Sequence, residues 1–191
     1  MSSSKRNSLV SKITEEFKRL EKLFTDIRSS IASLESLRRR AEKAENPIEK
    51  DPALLNYVNL TTVNRVVASF SLSIANSVEK LSDEVSQLFT ETASLLKLLD
   101  SLTEELQEAC HNQIQNFLVF NELIIAVNEV REILIQEMDL TCYSACLHIS
   151  PTLVPPVAPA FHLASSYLSE RSITFSLWRE EVAPMFSVCK M

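Results

Sequence analysis

The sequence predicts an all-α protein: an elongated antiparallel helical bundle or coiled coil followed by a Pro-rich, poorly ordered C-terminal tail. Three observations predict it. The 191 residues contain no glycine, against an average usage of about 7%. Apolar residues recur at alternating steps of three and four over two long stretches, the spacing that keeps one face of a helix against a neighbour. Six of the seven prolines fall in two short stretches, one near residue 50 and one at 151–159.

Without glycine, tight hairpin turns and left-handed helix caps are scarce, because only glycine enters positive φ freely. The dinucleotide fingerprint, the phosphate-binding loop and the nucleophile elbow all need it at fixed places and are therefore excluded. Hydrophobic residues make up 46% and charged residues 23%, which fits a folded chain and not a disordered one.

After a flexible N-terminus at 1–7, the first helix is expected over about 8–46. Its stripe is Ile13, Phe17, Leu20, Phe24, Ile27, Ile31 and Leu34, in steps of 4, 3, 4, 3, 4 and 3. Pro47 lacks a backbone donor and restricts Asn46, so the helix is expected to stop there. Asp51 and Pro52 fit the N-cap and first position of a second helix beginning near 53.

The second stripe contains Val67, Phe70, Ile74, Val78, Leu81, Val85, Leu88, Thr92, Leu95, Leu99, Leu102 and Leu106. It keeps near-heptad spacing, with Thr92 as its one polar member. It continues toward Asp139, and a break between about 100 and 113 is left open. Ser101-Leu102-Thr103-Glu104 resembles a capping box, but the stripe passes through it without changing phase. Unbroken, 53–139 would form a rod about 130 Å long. Residues 114–138 are apolar on more than one face, which calls for more than one neighbour.

From 150 onward four prolines within nine residues suggest an extended connector. Beyond it a short helix or an irregular tail is expected to 191. Ile173, Phe175 and Leu177 alternate as in a strand, and the residues around Trp178 and Phe186 show no clear pattern.

Charge is divided unevenly. Residues 1–50 carry 12 basic and 8 acidic residues, a net of +4, and the remainder carries 7 and 17, a net of −10. The first helix is thus expected to lie against the second or against an acidic partner. Arg38-Arg39-Arg40 and Lys43 are interleaved with Glu35, Glu42 and Glu45, which argues against a nucleic-acid footprint.

No motif for catalysis stands out, and no enzymatic activity is expected. Cys142, Cys146 and His148 are too few for zinc, which needs four ligands; His162 and Cys189 are the only candidates to complete a set. Cys110 and His111 are adjacent, so on a helix they point about 100° apart. We therefore expect no catalytic residue, no metal and no cofactor. No uncharged apolar run of 18 or more residues exists, so no membrane span is expected. Without a visible secretion signal the four cysteines are expected to be reduced thiols in the cytoplasm, a nuclear location remaining open.

The heptad texture resembles that of small helical subunits of cytoskeletal, spindle or kinetochore and organelle-positioning complexes. No residue motif singles out one family. A non-enzymatic structural or scaffold subunit of an intracellular complex is thus expected, with other helical subunits as partners. Association is assigned to Ile13, Phe17, Leu20, Phe24, Ile27, Ile31 and Leu34, and to Leu81, Val85, Leu88, Leu95, Leu99, Leu102 and Leu106. The alternative is a small regulatory adaptor, bound through its Pro-rich C-terminal segment or Ser-rich N-terminus. Homo-oligomerisation is not favoured, because the basic and acidic seams can satisfy each other within one chain.

Overall fold

The computed structural model describes residues 3–50, 60–112, 116–150 and 172–188. Four helical elements follow: α1 (Ser3–Lys50), α2 (Leu60–Asn112), α3 (Phe117–Ile149) and α4 (173–188). No strand occurs among the described residues. The expected cap at Asp51 and Pro52, and the Pro-rich connector after Ser150, lie outside them.

Side-chain pairs fix the directions. Lys5 meets Glu105, and Lys80 Nζ donates to Ser30 Oγ at 3.3 Å, so α1 and α2 run antiparallel. Arg131 Nε pairs with Asp100 Oδ1 at 3.3 Å, so α3 reverses direction again along α2. Arg6 lies over the Phe120 ring, Arg28 Nη2 is 3.8 Å from Glu137 Oε1 and Glu35 meets His148. These three pairs make α1 and α3 parallel. α4 then packs on α3 and α1, giving an all-α bundle of three long helices and one short one.

One apolar core runs through the bundle. Ile13, Ile27 and Leu34 of α1 are buried completely, as are Leu81, Leu88, Leu95, Leu99, Leu102 and Leu106 of α2. Phe120, Val127, Val130 and Leu134 supply the face of α3. Trp178, with Phe175 and Val182, closes the core from α4. The seam residues of α1 and α2 thus meet one another, which fits the division of charge between them.

Helix boundaries bear on the expectations in three places, the break falling inside the window left open at 100–113. α1 begins at Ser3 and continues through Pro47 to Lys50. A proline near a helix end removes a single backbone donor, a smaller loss than in the interior. The 130 Å rod is not formed. The chain leaves α2 at Asn112 and returns as α3 from Phe117, because residues broadly apolar in α3 gain cover by folding back. The C-terminal residues are helical: Ile173–Leu177, a π-turn at Trp178–Val182 and Ala183–Val188. The strand-like alternation of Ile173, Phe175 and Leu177 is therefore overturned. It is too short to form a sheet without a partner strand.

Candidate helix-docking surfaces

All fourteen residues assigned to association are buried within the chain. Ile13, Phe17, Leu20, Phe24, Ile27, Ile31 and Leu34 line α1, and Leu81, Val85, Leu88, Leu95, Leu99, Leu102 and Leu106 line α2. They form the inner core, so in this folded state a surface open to another molecule lies elsewhere. Two regions bear on docking, one open and one a groove already filled and lined in part by Phe17.

The first is the end of the α1–α2 pair. Arg38 Nη2 donates to the His148 carbonyl at 2.6 Å, marking where α3 finishes beside α1. From Arg38, α1 runs twelve residues further to Lys50, about 18 Å at helical rise. Leu37, Ala41 and Ala44 of α1, with Val67, Phe70, Ile74 and Val78 of α2, are only partly buried there. Leu72 is 64% exposed and Val66 43%. The stripe that α3 and α4 help to cover lower down thus continues where neither helix reaches.

The second region is the groove between α1 and α3, which α4 fills. Ser172 caps α4, its Oγ accepting from Phe175 N at 3.3 Å. Glu137 of α3 stands at the same end. Its Oε2 accepts from Ser172 Oγ at 3.0 Å, from Thr174 Oγ1 at 2.6 Å and from Thr174 N at 3.3 Å. A carboxylate there satisfies otherwise unpaired amide and hydroxyl donors and complements the helix dipole. Two turns on, Trp178 is completely buried. Its Nε1 donates to Thr14 Oγ1 at 3.0 Å, and its ring stacks on Phe17 with centroids 5.4 Å apart. Phe186 lies against its other side at 6.3 Å. The π-turn, closed by Ala183 N–H onto the Trp178 carbonyl, widens the helix at this bulky ring.

The top of the groove is held by His148. Its Nε2 lies 3.0 Å from Glu35 Oε1 and its Nδ1 2.8 Å from the Ser144 carbonyl. This ties the last turn of α3 to α1.

Neither Glu137 nor the His148–Glu35 pair was singled out from sequence. Their partners lie 35 to 113 residues away, beyond any local motif. The sequence signal for α4 was the hydroxyl pair Ser172 and Thr174 ahead of an aromatic residue, a helix start that the absence of heptad spacing obscured.

The candidate ligands differ in their surroundings. Cys142 is buried and Cys146 exposed, while His148 is turned to Glu35. Burial, reinforced by Cys146 and Asp139, pushes the Cys142 thiol up to about 11. Cys110 Sγ faces the Phe117 carbonyl at 3.6 Å, whereas His111 Nδ1 lies 3.1 Å from the Gln107 carbonyl, so the two do not pair. His162 and Cys189 fall outside the described residues. Among the described residues no three metal-binding side chains gather, and no helix is long and apolar enough to cross a membrane. Shallow clefts of about 290 Å³, by Arg19 and Glu91, and about 240 Å³, by Arg39 and Lys43, have charged walls.

Comparison of the chain with protein-family models, with curated proteins and with solved structures returns no match.

Proposed function

We propose that this chain is a non-enzymatic scaffold subunit that binds helices of other proteins within an intracellular complex. The observation that carries the reading is the projecting end of the α1–α2 pair. There the apolar stripe continues through Val67, Phe70, Ile74 and Val78 with partial cover only. Two helices leave the flank of such a stripe open to water, and a third helix laid along it buries that flank as α3 does lower down. Coiled-coil packing at this end, and assembly with cytoskeletal, kinetochore or organelle-positioning subunits, belong to the same proposal. Among the described residues Cys110, Cys142 and Cys146 are free thiols, as the proposed reducing setting requires.

The test is affinity purification of the tagged full chain beside a Phe70→Asp/Ile74→Asp variant. The variant is expected to lose helical partners that the unaltered chain retains, while the emission of Trp178, far along the bundle, stays the same. Retention of every partner by a folded variant would reject this surface.

A further inference from the structure

We propose that the α1–α3 groove is itself a helix-docking site, filled at rest by α4 and open to a partner helix that presents the same chemistry. That partner is an amphipathic helix with a hydroxyl pair at its N-terminus for Glu137. It carries an indole on the second turn for Thr14 and Phe17, and an aliphatic residue one turn later in the place of Val182. The surface differs from the projecting α1–α2 end, and the proposal does not depend on it.

Several observations point this way. α1 and α3 are held to α2 along their lengths, and to each other at both ends of the groove. Arg6 covers the Phe120 ring at 5.2 Å at one end, and Glu35 meets His148 at the other. None of these contacts involves α4, so the groove does not need α4 for its walls. The seat of α4 is also narrow in its chemistry. One carboxylate receives its N-terminus, and one hydroxyl and one ring receive its tryptophan. The match is incomplete at Arg28, whose buried Nε has no hydrogen-bond acceptor although its Nη2 faces Glu137. A helix supplying an oxygen at that point would satisfy a donor that α4 leaves unfilled.

The tether is longer than docking requires. α3 ends at Ile149, and α4 starts beside Glu137, twelve residues back along α3. That is about 18 Å at helical rise. The 22 residue steps from Ser150 to Ser172 could span roughly 70 Å when extended. Connections between bundle helices usually take two to eight residues. Chain length alone therefore does not hold α4 in the groove. Covalent linkage to α3 keeps α4 at a high local concentration, so α4 holds the groove against weak competitors and yields to a better-fitted helix.

The probe is a fluorophore-labelled peptide of residues 170–190, titrated by anisotropy into three full-length proteins. These are the unaltered chain, Trp178→Ala, and a Ser172→Ala/Thr174→Val variant that weakens the seat of α4 while leaving the groove residues and Trp178 untouched. The peptide is expected to bind Trp178→Ala at least tenfold more tightly than the unaltered chain, with the double variant between them. Adding Thr14→Val to Trp178→Ala should weaken binding several-fold, and a peptide with Trp178→Ala should not bind. Far-UV circular dichroism and thermal melting follow the fold of each protein. A helical Trp178→Ala chain that binds no peptide would overturn the proposal, as would equal binding by that chain and the unaltered one. Collapse of helical content in both release variants would overturn it too, by showing that α4 is an inseparable part of the core.

Discussion

Thr92 stands on the apolar stripe of α2, 1% exposed, with no hydrogen-bond partner for its Oγ1. Other hydroxyls on the helices bond to the carbonyl four residues back, as Thr90 does to Ser86 at 3.1 Å and Thr103 to Leu99 at 3.0 Å. A buried hydroxyl without a partner carries a desolvation cost of about 1–3 kcal/mol. Thr92→Val keeps the shape and removes the cost, and is expected to raise unfolding stability by about 1 kcal/mol, read as a higher urea midpoint at unchanged slope. Cys142 makes a second residue-scale prediction. Its thiol is pushed up to about 11 from an ordinary value near 9 by burial first, then by Cys146 and Asp139. At pH 8, exposed Cys146 should therefore be alkylated by iodoacetamide well before Cys142, as peptide mass mapping would show. The linkage has a definite sign. The folded state holds the Cys142 proton more tightly than the unfolded state, so this contribution to stability is intact below pH 9 and lost as pH rises from about 9 to about 11. Thr92 was visible in the sequence as the polar exception on a stripe. The contrast between Cys142 and Cys146 was not, because burial depends on what α3 packs against.

At the scale of elements, the 3–4 spacing of apolar residues was enough to identify α1 and α2 and the faces they bury. It left a break between about 100 and 113 open, the window in which the chain reverses after Asn112, since the stripe keeps its phase through Leu99, Leu102 and Leu106 and carries no glycine or proline to mark a turn. It missed the continuation of α1 through Pro47. The buried face of α4 was hidden for a different reason. Its π-turn at Trp178–Val182 adds a residue to one turn, so Phe175, Trp178, Val182 and Phe186 face inward without holding a heptad. The stripes make a direct prediction. Leu99 is completely buried between helices, and Leu99→Ala should cost about 2–5 kcal/mol, measured by chemical denaturation. Glu137→Gln tests the seat of α4. Its side chain is 14% exposed and accepts from both hydroxyls and one amide of the helix start. Losing the charge at a largely buried cap should weaken α4 docking by about 1 kcal/mol, seen as faster hydrogen exchange in 173–188 with little change in α2.

For the whole molecule, folding back replaces an extended rod by a bundle as long as its longest helix. α2 has 53 residues, which is about 80 Å. Small-angle scattering of the monomer should give a maximum dimension near that length, and a value near 130 Å would reject the reversal between α2 and α3. The opposite charges of the two parts of the chain were legible from the start, and Lys5–Glu105 and Arg28–Glu137 are places where they meet. The parallel relation of α1 and α3 was not legible, because it depends on which side of α2 the returning helix takes. Chain order adds a temporal consequence. Synthesis delivers α1 and α2 first, then α3, and the tryptophan helix after a further 22 residue steps. The residues that seat the tryptophan, Thr14, Phe17 and Glu137, are thus all made before the helix that occupies their groove, and the single core they share is complete only when the last helix has been added.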